Sequence, residues 1–321
     1  MMTSLDNQEP RESSLTRVGD VLSMGLENPG GRSSEIPWAT EMKDEECTCS
    51  SCGSKFQGQV TKYLRIIPPR EIRSRECPSC RQARVEEGQR LEAQEIELRR
   101  VALREKWRRE WGIPWGLKCS QFKDFEVEPQ IDTDQRKTVR LCREYADKFN
   151  LDNAQGMPSL LLSSDVPGVG KTTLMICIAN HIIDNWLGNP DATICPIRFE
   201  SGPSLVRRIR ATYNIPAEDS HHEREEQVYA QMRGVKLLLL DDVGKEQPHS
   251  YRFTQEIYWY IIDERVKAGL PVVISTRLPM TGSGSMEDLM GVDTVDRLYG
   301  MCQGQAVDMG GTSYRRRHKI A

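Results

Sequence analysis

The sequence predicts an α/β protein, with a parallel β-sheet and flanking helices, preceded by a small cysteine-rich module and a charged helix. Three observations lead to this prediction. Short apolar runs alternate with helical patterns in the second half of the chain, which is typical of a parallel sheet covered by helices. A glycine-rich turn follows the first of these runs, and two aspartates end a later one. Five of the ten cysteines lie between residues 47 and 80.

The composition is that of a globular chain with many exposed charges. The 321 residues, of which 38% are hydrophobic and 28% charged, are enough for one large or two smaller domains. The net charge of −3 gives no general attraction to nucleic acid, so any such contact would need a local patch. No apolar run approaches the length of a membrane span, and the polar N-terminus has no signal-peptide pattern. We therefore expect a cytoplasmic protein that does not bind membranes.

Changes in composition divide the chain into four parts. Residues 1–45 are rich in Ser, Glu, Pro and Gly and predict a disordered tail. Residues 46–81 form the cysteine-rich module, residues 82–112 a charged linker helix, and residues 113–321 the α/β domain. The helix has only a partial apolar stripe, and arginines crowd its second half. This pattern favours a solvated linker over a nucleic-acid-binding stripe.

The cysteine-rich module contains two C-x-x-C pairs, Cys49 with Cys52 and Cys77 with Cys80, on either side of a β-prone segment. Four thiolates in two chelating pairs suit tetrahedral Zn²⁺. Cys47 is a further thiol that could replace Cys49. A module this small has little core, so the metal would supply most of its folding free energy. The alternatives are reduced cysteines without metal, or a redox pair, which the absence of a thioredoxin-like βαβ pattern disfavours.

The apolar run Leu160–Leu162 leads through a short turn into a helical pattern, which is the layout of a phosphate-binding loop. Backbone N–H groups of such a turn converge on one anion. Lys171 would reach the β- and γ-phosphates, and Thr172 would place its hydroxyl on Mg²⁺. Asp165 stands at the first glycine position of the usual pattern; aspartate tolerates left-handed backbone, but its charge is unfavourable near phosphates. We predict a nucleotide-binding loop formed by Pro167, Gly168, Val169, Gly170, Lys171, Thr172 and Thr173.

A second apolar run, of four leucines, ends at Asp241 and Asp242. In an open parallel sheet, ligands bind at the carboxyl ends of the strands. Asp241 would hold Mg²⁺, and Asp242 would orient or activate the water that attacks the terminal phosphate. A core strand followed by an Asp-Asp turn is the alternative, which the phosphate-binding loop upstream disfavours.

From about residue 113 to 317 the chain resembles the AAA+ ATPases of the DnaC/IstB group, the replicative-helicase loaders and their transposon relatives. The zinc-type module is also similar to the helicase-binding domain of some loaders. The resemblance rests on the glycine-rich loop, the Asp-Asp strand, Ile113-Pro114 with Phe122-Lys123-Asp124-Phe125 near the adenine, the strand Val272–Thr276, the helix around Val295–Leu298, and the closing Ser313-Tyr314-Arg315.

This resemblance implies a P-loop AAA+ fold and ATP hydrolysis. It also implies that Thr276 or Ser275 senses the terminal phosphate, because Arg277 stands where the group often has Asn. Arg297 corresponds to an arginine finger, which would act on a neighbouring subunit of a homo-oligomer and make turnover slow in the monomer. An ordinary surface ion pair is the alternative for Arg297.

In such loaders, a helix near residues 204–213 lines a path for single-stranded DNA, so Arg207, Arg208 and Arg210 would contact its phosphates. A solvated helix face explains the same arginines equally well. We expect an ATP-dependent loader that binds Mg-ATP and single-stranded DNA and delivers a hexameric replicative DNA helicase in DNA replication. The alternatives are an IstB-like transposition helper ATPase and a nucleotide-dependent binding adaptor with negligible turnover.

Overall fold

The computed structural model of the chain describes residues 41–63, 68, 70–124, 133–213, 223–246 and 251–313. The chain forms two compact units, Met1–Gln89 and Arg90–Ala321. Residues 1–40 of the predicted tail lie outside the described residues, and so do Phe125 and the closing Tyr314-Arg315. Within the described part, no helix is both long enough and apolar enough to cross a bilayer.

The first unit contains a small antiparallel sheet in the order β1-β2-β3, with β1 at Glu41–Thr48, β2 at Lys55–Tyr63 and β3 at Arg70–Arg73. Strand β1 begins inside the segment that we assigned to the tail, because β1 pairs with β2 along its whole length, from Glu41 opposite Lys62 onward. Most side chains of the three strands are exposed. Helix α1 (Pro78–Glu110) starts in this unit and continues into the second.

The second unit alternates helices and strands. After α1, its elements are α2 (Thr133–Lys148), β4 (Leu160–Ser163), α3 (Lys171–Asp184), β5 (Ile197–Ser201), α4 (Gly202–Thr212), α5 (Glu225–Gly234), β6 (Leu237–Val243), α6 (Tyr251–Ala268), β7 (Val272–Thr276), α7 (Met286–Met290), α8 (Val292–Cys302) and β8 (Ala306–Asp308).

The five strands of this unit form a parallel sheet in the order β5-β6-β7-β4-β8. Successive side chains of a strand point to opposite faces. Leu160 and Leu162 accordingly belong to a core cluster on one face, and Leu161 to a second cluster on the other. Both faces are buried, as in an α/β sheet covered by helices. The predicted parallel sheet with flanking helices, preceded by a cysteine module and a charged helix, is confirmed.

The second half of α1 differs from a solvated linker. Leu103 and Trp107 are buried in the core of the second unit, and Trp107 packs against Trp186 with ring centroids 4.8 Å apart. The Arg104 guanidinium donates a 2.6 Å hydrogen bond to the carbonyl of Trp186. The helix ends before Gly112, whose φ of +85° favours glycine. These contacts make the end of the helix part of the α/β domain.

Candidate nucleotide-binding site

The loop between β4 and α3 has the backbone of a phosphate cradle. Its two left-handed residues are Gly168, with φ +81°, and Gly170, with φ +104°. Asp165 does not adopt positive φ. Among the described residues, the non-glycine residues with positive φ are Asp242 and Gln303. The aspartate at the first motif position therefore imposes no backbone strain, and the left-handed tolerance that we invoked for it is not needed.

Lys171 begins α3 and is almost completely buried, with 7% of its surface exposed. Its Nζ donates a 3.0 Å hydrogen bond to the carbonyl of Ser164, across the loop. Burial lowers the pKa of Lys171, and the nearby Asp242 carboxylate opposes this effect. The ammonium thus lies inside the curve of the loop, where the phosphates of a nucleotide would meet both it and the backbone N–H groups.

Thr172 and Asp241 lie next to each other although 69 positions separate them in the sequence. The Thr172 hydroxyl lies 2.9 Å from each carboxylate oxygen of Asp241. Ser275 Oγ also donates to Asp241. Burial raises the pKa of Asp241, while the hydrogen bond from Ser275 acts against this rise. A hydroxyl and a carboxylate beside a phosphate loop are the oxygen ligands that Mg²⁺ takes in nucleotide sites, so these two residues fit the ion.

Asp242 is held in an unusual backbone conformation, with φ +54°. The ladder between β6 and β7 is irregular at this point, between Leu240 and Val243. The Asp242 N–H donates a 2.9 Å hydrogen bond to Ser275 Oγ, and its carboxylate forms a 2.6 Å ion pair with Lys245. Left-handed non-glycine residues cost free energy and are concentrated at functional sites. The positive φ takes Asp242 out of the regular pairing of β6 with β7, at the carboxyl end of the sheet.

At the end of β7, the structure brings Ser275 rather than Thr276 to the aspartates. The Thr276 side chain is fully buried. Its hydroxyl donates to the carbonyl of Val243 at 2.8 Å and accepts from the N–H of Leu278 at 3.0 Å. Thr276 thus stabilises the backbone beneath the site, and the geometry gives no support for its predicted contact with the terminal phosphate.

Arg297 lies on α8, away from the loop of its own chain. It lines a cleft together with Gly156 and Gly269, which precede β4 and β7. The phosphate loop follows β4, so the two features lie at opposite ends of the parallel strands. Arg297 forms an ion pair with the buried Asp263. This position excludes action on its own phosphate loop and leaves the predicted action on a neighbouring subunit as a proposal.

The three arginines of α4 have different surroundings. Arg208 forms ion pairs with Glu200 and, at 2.7 Å, with Glu223, so we revise its interpretation from phosphate contact to structural partner. The Arg210 guanidinium lies 5.7 Å from the ring centroid of Phe253. Arg207 is exposed. An arginine that already has internal partners would have to give them up in order to bind DNA, so Arg207 remains the strongest candidate of the three.

The first unit brings the four predicted zinc ligands together. The sulfur atoms of Cys49, Cys52, Cys77 and Cys80 all lie within 4.8 Å of one another, and those of Cys52 and Cys77 are 3.8 Å apart. A tetrahedral site with Zn–S bonds of about 2.3 Å requires sulfur separations of about 3.8 Å. The Cys77 N–H donates to the Cys49 sulfur and is the main reason that the pKa of Cys49 falls to about 6. The four thiols therefore fit zinc.

Cys47 is not part of this cluster. Its sulfur instead lies 3.9 Å from the carbonyl of Gly58, on the neighbouring strand. A Cβ on Gly58 would approach the Cys47 sulfur to 3.1 Å, which shows how closely the two strands pack here. The alternative in which Cys47 replaces Cys49 is therefore disfavoured.

Three charged residues near the candidate nucleotide site were not predicted as site residues. Lys245 pairs with Asp242, and Arg277 donates to the carbonyl of Asp165. Glu246 is buried, accepts a 2.6 Å hydrogen bond from the N–H of Gly244, and bonds to Tyr258. All three follow the predicted strand ends by one to five residues. Their charge at the carboxyl edge of the sheet was the signal that could have identified them.

Solved structures similar to this chain include a crystal structure of the DnaC helicase loader, with 18% identity and a TM-score of 0.46, covering 61% of this chain and 98% of that one. DnaI matches with 19% identity and a TM-score of 0.45, over 63% and 94% of the two chains. AMPPCP-bound DnaA from Aquifex aeolicus matches with 16% identity and a TM-score of 0.42, over 59% and 50%. At these identities the likeness concerns the fold. No family model matches the sequence, and a search of curated proteins finds no match.

Proposed function

We propose that this chain is an AAA+ ATPase, whose second unit binds Mg-ATP at the loop between β4 and α3 and hydrolyses it. One observation carries the proposal: the Thr172 hydroxyl lies 2.9 Å from both carboxylate oxygens of Asp241, beside a loop whose left-handed residues are both glycines. Two adjacent oxygen ligands for Mg²⁺, next to a buried lysine, suit the phosphates of a nucleoside triphosphate.

The chain's residues divide the work of hydrolysis. Lys171 would neutralise charge on the β- and γ-phosphates, and Thr172 with Asp241 would hold Mg²⁺, which offsets further phosphate charge. Asp242 would accept a proton from water as the water oxygen bonds to the γ-phosphorus. The bond from that phosphorus to the bridging oxygen breaks, and its electron pair leaves with ADP. Asp242 must first be released from Lys245, its partner at 2.6 Å.

The nucleotide site is tested by Lys171→Ala, with Lys137→Ala as the matched control, because Lys137 is an exposed lysine on α2. Losing one charge-assisted contact of about 1.5–3 kcal/mol should weaken ATP binding by about 10–100-fold, whereas the control should leave it unchanged. Titration with a fluorescent ATP analogue measures both effects. Equal ATP affinity in the two variants would refute the proposed nucleotide site.

We further propose that the protein is a loader of a hexameric replicative DNA helicase, with the cysteine module binding the helicase and the α/β domain holding single-stranded DNA. The resemblance of the motifs to the DnaC/IstB group supports this role, and so does a separate unit that fits zinc. Arg207 would contact DNA, and Arg297 would act on a neighbouring subunit of a homo-oligomer. An arginine finger is worth roughly 10³–10⁵ in rate, so the oligomer should hydrolyse ATP faster than the monomer.

Co-purification with a hexameric helicase, followed by transfer of that helicase onto closed circular single-stranded DNA, tests the loader. Wild-type protein should support transfer with ATP, and Cys77→Ser should lose helicase binding while keeping ATP binding. If the protein binds a transposase and no helicase, the IstB-like alternative is correct.

The Lys245–Asp242 ion pair specifically favours a second candidate function, a nucleotide-dependent adaptor with negligible turnover, because it occupies the group that would activate water. Steady-state ATPase assays with and without single-stranded DNA separate the two functions. An enzyme should turn over with DNA, and Lys245→Ala should not slow it. An adaptor should bind ATP and leave it intact under both conditions.

A further inference from the structure

Arg277 stands at the mouth of the phosphate loop. It is the first residue after β7, which pairs with β4 so that Thr276 lies opposite Ser163. The N–H of Ser164 also donates a 3.2 Å hydrogen bond to the Thr276 carbonyl. The chain after β7 is thereby fixed beside the first residues of the loop. The Arg277 guanidinium reaches across and donates to the Asp165 carbonyl at 3.3 Å.

The residues before Arg277 have other partners. Ser275 bonds to Asp241 and to the N–H of Asp242, and the Thr276 hydroxyl is engaged by backbone on both sides. Both hydroxyls therefore already have partners within the protein. Arg277 is exposed, and its contact with the loop uses one N–H of a guanidinium that carries five.

The positive charges around the loop also favour the binding of an anion beside Arg277. Lys171, Lys245 and Arg277 lie close enough to one another that the charges of Lys245 and Arg277 both act on Lys171. Lys245 already pairs with Asp242, whereas the hydrogen bond of Arg277 among the described residues is to a neutral carbonyl. An anion placed between Lys171 and Arg277 would relieve their mutual repulsion. A planar guanidinium also matches the oxygen spacing of a phosphate.

We propose that Arg277 exchanges its contact with the Asp165 carbonyl for the terminal phosphate of the bound nucleoside triphosphate, so that each chain supplies an arginine to its own hydrolysis site. This inference rests on the proposed function. It connects the two departures from the expected motifs, because the aspartate at position 165 and the arginine at position 277 lie next to each other. It also separates Arg277 from Arg297, whose partner is Asp263 at the opposite end of the sheet.

Arg277→Ala and Arg277→Lys test the proposal, with Arg140→Ala as the control, an exposed arginine on α2 that pairs with Glu144. We expect Arg277→Ala to weaken ATP binding by about 10-fold or more and to change ADP affinity by less than about twofold, because only ATP has the terminal phosphate. The kcat should fall by about 10³-fold. Arg277→Lys should recover part of the loss, because an ammonium lacks the planar fork of donors.

A mixing experiment identifies which subunit the arginine serves. Arg277→Ala protein, which has an intact phosphate loop, is mixed with Lys171→Ala protein, which has an intact arginine. If the arginine serves its own chain, the mixture should hydrolyse ATP no faster than the sum of the separate variants. Recovered activity in the mixture would show that the arginine serves a neighbour and would overturn the proposal.

Two other results would overturn the inference: an unchanged kcat in Arg277→Ala, or equal losses of ATP and ADP affinity. Melting temperatures of the variants within about one degree of wild type would show that the fold is intact, as expected for an exposed side chain. The proposed function fails separately, if wild-type protein binds no ATP. If wild-type protein binds and hydrolyses ATP and Arg277→Ala does so equally well, only the role of the arginine is refuted.

Discussion

The two units of this chain differ in what stabilises each of them. In the first, the buried apolar residues among those described are Val60 and the cysteines Cys47, Cys49 and Cys77. In the second, helices cover both faces of a parallel sheet, and each face has its own buried cluster. A module with one buried aliphatic side chain cannot offset the conformational entropy of its ordered strands by burial alone.

This difference has a consequence for function. Zinc binding free energy would be folding free energy in the first unit, so its binding surface would exist only with the metal. The proposed nucleotide site of the second unit is built on strand ends that the core already fixes. It can therefore carry local strain, such as the positive φ of Asp242, and buried charges such as Asp241 and Lys171.

The largest expected effect is loss of the metal. Chelation, or Cys77→Ser, should remove a stabilisation of about 10 kcal/mol from the first unit and unfold it. Hydrogen exchange should then show unprotected amides in β2 (Lys55–Tyr63) and unchanged protection in β6 (Leu237–Val243). Cys47→Ser is the control, because that thiol lies outside the cluster, and it should keep both zinc and protection. Full protection of β2 in metal-free protein would contradict the distinction between the units.

The next effect is a cavity in the core of the second unit. Leu239 is fully buried in the centre of β6, so Leu239→Ala should lower the free energy of unfolding by about 3 kcal/mol. Leu98→Ala is the matched control, because Leu98 is 71% exposed on α1 and its loss should cost under about 0.5 kcal/mol. Urea unfolding measures both, and zinc content should stay constant. Loss of zinc from Leu239→Ala would show that the units are coupled.

The same contrast explains what the sequence could predict. The phosphate loop and the Asp-Asp strand were predictable because each is set by local physics: glycine at left-handed positions, and a continuous apolar run for a strand buried on both faces. The four cysteines that come together in the first unit were predictable from their spacing alone. In contrast, β8 (Ala306–Asp308) was missed, because a three-residue edge strand with exposed ends has almost no periodicity.

The remaining misses depend on contacts between distant residues. The roles of Ser275 and Thr276 depend on which hydroxyl faces the aspartates, and this is set by the register of β6 against β7, including its irregularity. The internal partners of Arg208 come from β5 and from the segment just before α5, so its sequence neighbours give no sign of them. Trp107 packs against Trp186, which lies 79 positions later in the sequence, so no local pattern could predict this contact. Tertiary pairing decides such details, and a one-dimensional pattern does not contain them.

The smallest expected effect concerns the free-energy cost of burying the carboxylate of Asp241. Burial raises the pKa of Asp241 in the folded state, so its ionised form reduces stability at pH values above that raised pKa. Below the unfolded pKa of about 3.9 the carboxyl is protonated in both states and the cost disappears. Asp241→Asn should therefore raise the melting temperature of the nucleotide-free protein at pH 7–8, because the amide can still bond to Thr172 and Ser275.

This gain should shrink as the pH falls towards about 4, and Mg-ATP should no longer stabilise the variant. Thermal denaturation across this pH range measures the difference from wild type. Asp296→Asn, on the exposed face of α8, is the control and should change the melting temperature little at any pH. A gain that stays constant with pH would show that charge burial is not its cause. A lower melting temperature of Asp241→Asn at neutral pH would mean that the carboxylate stabilises the site. The core of the second unit would then not be tolerating a costly buried charge, as the comparison with the first unit supposes.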